Sequence, residues 1–105
     1  METKAFTLQG IISITGTIVY TAPANALSKF ISIRVSNPAA YDFTLRKYDA
    51  VTATSIDVYS LNLAAGDVMT DNLLYYLNEN DYIEFISTVP GTTYLVFGAE
   101  TLSPV

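Results

Sequence analysis

Cysteine, histidine and tryptophan are all absent from this chain of 105 residues. Without cysteine or histidine no disulfide can form, and neither a Ser-His-Asp nor a Cys-His arrangement can be built. Zinc, copper and iron lose their usual ligands as well. Charge is scarce: 14% of residues, five basic against ten acidic, for a net charge of −5. The basic residues Lys4, Lys29, Arg34, Arg46 and Lys47 are scattered, so no basic face is expected for nucleic-acid phosphates or an anionic membrane. No apolar run approaches the roughly 20 residues of a membrane helix. The start METKAFTLQ has no apolar signal-peptide core, so export by that route is not expected. The five glycines, at 10, 16, 66, 91 and 98, stand alone, which leaves no phosphate-cradling loop. No cofactor is expected, and neither nucleic acid nor membrane as a partner.

What is present is half apolar, rich in tyrosine (eight) and patterned for strands. The length favours one domain over residues 1–105, with 1–10 available as an assembly arm. In KFISIRVSN (29–37), Ile31, Ile33 and Val35 alternate with Ser32, Arg34 and Ser36. Asn37-Pro38 breaks that strand. YDFTLRKYD (41–49) then places Tyr41, Phe43 and Leu45 on one face and Asp42, Thr44 and Arg46 on the other. The two segments read as an antiparallel pair joined by the NPAA corner. IISITGTIVYTAP (11–23) gives two short pieces around Gly16, and TSIDVYSLNL (54–63) changes phase near Ser60, which predicts a bulge or break there. LLYYL (73–77), DYIEFIS (81–87) and TTYLVFGAE (92–100) complete the set, with a turn at Pro90-Gly91. Only APANALSK (22–29) resembles helix, for one turn. Seven or eight short strands with regular turn signals predict an all-β, antiparallel, jelly-roll-like sandwich.

Carboxylates are the remaining chemistry. NLAAGDVM (62–69) and YLNENDYIEF (76–85) share a leucine followed by Gly66 or Asn80 and then Asp67 or Asp81, with Asp71 between them. Asp67, Asp71 and Asp81 are weak calcium candidates, but the spacing matches no calcium-loop signature. The alternative is a pair of structural turns whose acids accept backbone N–H groups. No catalytic residue is assigned. Arg34 and Arg46 share a strand phase and point to solvent or, across a subunit boundary, to acids such as Asp57 or Glu84.

YLVFG and LLYYL are apolar at every position. Such a run is either buried on both faces or covered by a neighbouring copy. Tyr94, Leu95, Val96 and Phe97, then Leu74, Tyr75 and Tyr76, are the candidate interface residues.

Tyr20-Thr21-Ala22-Pro23, the segment from Ile33 to Asn37, Leu63 to Asp67 and Leu77 to Ile83 follow one another in an order that resembles small β-sandwich virion proteins of tailed bacteriophages. Asn80 stands where that pattern commonly has glycine. The resemblance implies a non-enzymatic capsid decoration or cement protein, often a homotrimer, located in the virion and bound to partners such as the major capsid protein. A tail, neck, baseplate or head-fibre component is the alternative within that class. A carbohydrate-binding module stacking sugars on Tyr41, Tyr48, Tyr59, Tyr75, Tyr76, Tyr82 or Tyr94 is the alternative from another class.

Overall fold

The computed structural model describes residues 2–102. Nine strands and, among the described residues, no helix follow along the chain: β1 (Glu2–Ile11), β2 (Thr17–Thr21), β3 (Ala26–Ser36), β4 (Tyr41–Asp49), β5 (Thr54–Leu63), β6 (Val68–Asp71), β7 (Tyr75–Leu77), β8 (Tyr82–Ser87) and β9 (Thr93–Leu102). Sheet A runs β1-β9-β3-β6, with β7 paired farther along β3, and sheet B runs β2-β8-β4-β5. All pairings are antiparallel. If β6 and β7 are counted as halves of one interrupted strand, this is the jelly-roll order, in which the chain passes from sheet to sheet at nearly every turn. The sandwich foreseen from the turn spacing is therefore present, with nine strands in place of seven or eight.

The sheets close on a core built by inward positions of the central strands. Phe30, Ile33 and Val35 of β3, Phe43 and Leu45 of β4, Ile83 and Phe85 of β8 and Val96 of β9 are all fully buried. Each such side chain contributes about 1.5–3 kcal/mol relative to exposure. Phe85 meets Phe43 and Tyr94 edge-on, with ring centroids 5.2 and 5.5 Å apart. The extents of 47 × 27 × 20 Å describe a slab two sheets thick.

Several expectations are corrected. β3 and β4 alternate as predicted, but they are not a hairpin: β3 lies in sheet A and β4 in sheet B. The NPAA corner carries the chain across the core, anchored by buried Asn37. Its side-chain amide donates to Pro90 O at 3.0 Å and Thr92 Oγ1 at 2.8 Å, while its Oδ1 accepts from Ala39 N at 2.9 Å. Alternation reports which face is apolar, and that is equally true of strands side by side and strands face to face. Ile31 is 40% exposed, because a register shift between Phe30 and Ser32 turns it outward and gives its place in the core to Phe30. The bulge of β5 falls at Val58, between the Leu45–Tyr59 and Arg46–Asp57 pairs, two residues from the expected place.

APANALSK contains no helix. Asn25 takes φ 59 in a turn, and β3 starts at Ala26. The segment 1–10 is not a free arm: from Glu2 onward β1 pairs with β9 over ten consecutive residues. Its signal was faint because an edge strand covers only one face. Phe6 and Leu8 turn inward and are no more than half-buried.

Candidate interaction surfaces

The two aspartate modules are indeed one turn used twice. Asp67 N donates to Ala64 O and Asp81 N to Asn78 O, both at 3.1 Å, and the preceding Gly66 and Asn80 take φ 79 and 67. Each left-handed residue also donates its N–H to a distant loop, Gly66 to Asn37 O at 3.1 Å and Asn80 to Ala22 O at 2.9 Å. Asparagine therefore does the work of glycine at the second turn. The carboxylates diverge from there. Asp81 is buried and accepts from Asn78 N at 3.0 Å and Ala50 N at 2.9 Å, with Lys47 Nζ at 3.5 Å. Asp67 is exposed.

Asp71 is buried where β5 faces β6, and accepts from Tyr59 Oη at 2.8 Å, Tyr75 Oη at 2.6 Å and Leu73 N at 2.9 Å. Burial first, then the bond to this carboxylate, holds both phenols well above the usual tyrosine range. Tyr20 repeats the arrangement on Glu100, donating at 2.6 Å and meeting Ser28 Oγ at 2.8 Å. Its pKa is pushed up to about 12, again by burial first and by Glu100 second. These acids are occupied by backbone and phenol donors. Asp67, Asp71 and Asp81 do not come together, and no group of three or more acidic side chains gathers among the described residues.

The tyrosines named as sugar platforms are mostly engaged elsewhere. Tyr41 lies in the core, Tyr94 packs on Phe85, and Tyr48 and Tyr82 stack on each other at 4.5 Å. Tyr76, at 55% exposure, is the one named tyrosine that is broadly open.

The interface candidates divide by strand phase. Val96 is fully buried, and Tyr94 and Tyr75 turn inward. Those three belong to the core side, contrary to the expectation of a subunit contact. Leu95 and Phe97 turn outward on sheet A, with Phe97 47% exposed. Tyr76 shares that outer face, and Leu74 lies exposed in the gap between β6 and β7. Gly98 explains why alternation was hidden in YLVFG: its inward position is filled by the Phe6 ring, which any Cβ there would strike.

The larger apolar surface was not foreseen. Among the described residues, fourteen large apolar side chains remain exposed, and seven of them lie between residues 56 and 76. There β5 and β6, the edges of the two sheets, face each other without closing. Tyr59, Leu61, Met69 and Leu73 line an open groove between them, with Asp71 at its floor. β5 has ten residues with neither proline nor lysine; Asp57 and the bulge at Val58 are its only interruptions, and its outer backbone has no strand beside it. At the opposite end β1, also ten residues long, is the free edge of sheet A. Natural sheets usually guard such edges with short strands, lysine or proline. β2 is guarded in this way, having five residues and a bulge between Ile18 and Tyr20.

No family model matches the chain, and no curated protein does. Among solved structures the chain is similar to a protein described in the words "Bacillus endospore appendages form a novel family of disulfide-linked pili". The TM-score is 0.58 at 15% identity, over 97% of this chain and 88% of that one. The likeness is one of fold.

Proposed function

We propose that this chain is a non-enzymatic structural subunit that works in many copies by protein–protein contact, and that its setting is a bacteriophage particle, where it decorates or cements the head. The observation that carries the reading is the apolar end formed by β5, β6 and β7. Ile56, Leu61, Val68, Leu73 and Leu74 are exposed there beside a ten-residue edge strand that no other strand covers. A cluster of this kind marks an interaction surface, and a free edge accepts a further strand through main-chain bonds.

The order of motifs from Tyr20 to Ile83 supports the phage setting, with the major capsid protein as partner and a homotrimer as the form of assembly. The similar fold comes from a pilus described as disulfide-linked. With no cysteine in this sequence, disulfides cannot join its copies. A place in the tail, neck, baseplate or head fibre is the alternative within the same reading.

Light scattering of the purified chain and mass spectrometry of purified particles test the proposal together. The expected results are a concentration-dependent oligomer and many copies per particle. A chain that stays monomeric at high concentration and is missing from particles overturns it. Cryo-EM of the particle separates head from tail placement.

A further inference from the structure

We propose that the outer face of sheet A is a docking surface for the outer face of sheet B on a second copy of this chain. The inference rests on the self-associating reading above and adds a second, charge-directed contact to it.

The strand register lays out the first face. Phe97 stands at its centre, with Thr7 of β1 opposite on one side and Ser32 of β3 opposite on the other. One row away, Arg34 lies opposite Leu95, and in the other direction Lys29 lies opposite Ala99. Thr7, Ser32 and Ala99 leave room around a half-exposed aromatic ring, Leu95 and Ile31 extend the apolar patch, and the two cations flank it. Neither Lys29 nor Arg34 enters an ion pair among the described residues. Among the described side chains no carboxylate stands on this face, although the chain has ten acids and five bases.

Sheet B has the opposite balance. Asp42, Asp57 and Glu84 share its outer side with Arg46, the one base there among the described residues. Ile18 of the edge strand β2, paired with Glu84 and 53% exposed, adds an apolar side chain at the rim. One face thus offers two unpaired positive charges around Phe97, and the other offers an excess of acid spread from Glu84 to Asp57, with Ile18 at its rim. Pairing two A faces or two B faces would set like charges against each other, which disfavours both. Pairing A with B is the complementary choice. It is a heterologous contact, so it generates stacks or closed rings. A standard interface takes about 800 Å² from each partner, which a broad face of a 47 × 27 × 20 Å molecule can supply.

Two variants read this contact, K29E/R34E on sheet A and D42K/D57K on sheet B, each checked for folding by circular dichroism. By sedimentation velocity at low salt, each alone is expected to self-associate at least about tenfold more weakly than the parent, the scale of like-charge repulsion. Mixed together they present complementary faces again, and association is expected to return. Added salt is expected to weaken the parent and the mixture alike.

A parent chain that never self-associates overturns the assembly reading and this inference together. A parent that associates as strongly in high salt, or variants that associate as the parent does, overturns this inference alone. Weakened variants that stay apart when mixed show that face A meets some partner other than face B, which overturns the proposed occupant. If a variant fails to fold, the salt dependence of the parent still decides.

Discussion

Arg34 and Arg46 sit at the same phase of their strands, one on each broad face of the sandwich, yet their surroundings are opposite. Arg46 Nε lies 2.7 Å from Asp57 and its Nη1 3.5 Å from Glu84, both on neighbouring strands of sheet B. Arg34 on sheet A has Leu95 and Thr70 opposite it and no ion pair among the described residues. Sheet B gives its outer cation carboxylate partners, whereas sheet A, among the described residues, leaves its cations without any. The same residue type at the same alternation is a local pair in one sheet and an open group in the other. The difference lies in what the neighbouring strands contribute.

The strongest way to break this contrast is to change adjacent residues of β9. Val96→Asp buries a charge in the core and is expected to cost several kcal/mol and abolish folding. Phe97→Asp, one residue along, is expected to stay folded with a loss of about 1 kcal/mol and to lose self-association. Thermal melts with light scattering check both. Equal collapse of the two would show that face A is interior and not a docking surface.

The two turn aspartates sharpen the distinction between satisfied and free groups. Asp81→Ala removes two backbone bonds to a buried carboxylate and is expected to cost about 1.5–3 kcal/mol. Asp67→Ala, at an exposed position, is expected to stay within about 0.5 kcal/mol. Urea titration of both separates them.

A smaller effect is expected in alkali. The Tyr20 phenol rises from 10.0 to about 12 because burial and Glu100 favour its neutral form in the fold. Its contribution is therefore complete below pH 10 and lost as pH rises toward 12. Tyr20→Phe is expected to flatten that part of the stability profile, measured by melts across the window. Arg46→Ala is expected to change the melting temperature little, because its ion pairs lie at the solvent-screened surface. Arg34→Ala should leave stability unchanged and register in association.

Legibility in the sequence followed locality. Tyr41, Phe43 and Leu45 were readable because a period of two marks one apolar face. Asp67 and Asp81 were readable as turns because the left-handed residue and the closing N–H lie within four positions. β1 escaped because an edge strand needs only one covered face, and here that cover is partial. The phase of YLVFG escaped because Leu95 and Phe97 outside match Tyr94 and Val96 inside in hydropathy, while Gly98 leaves its place to Phe6. The groove between β5 and β6 had no signal of its own, since Tyr59 and Leu61 meet Met69 and Leu73 only once two sheets face each other.

By itself, then, the sequence determined the class of the fold, its turns and the lack of histidine and cysteine chemistry, because each of these depends on neighbours along the chain or on composition. The tertiary structure decided that the NPAA corner crosses between sheets, that Ile31 yields its core position to Phe30, and that two cations of an acidic protein share a face with Phe97. Such facts depend on which strands become neighbours. A two-residue period records that a strand has an inside, and only packing decides what lies opposite it.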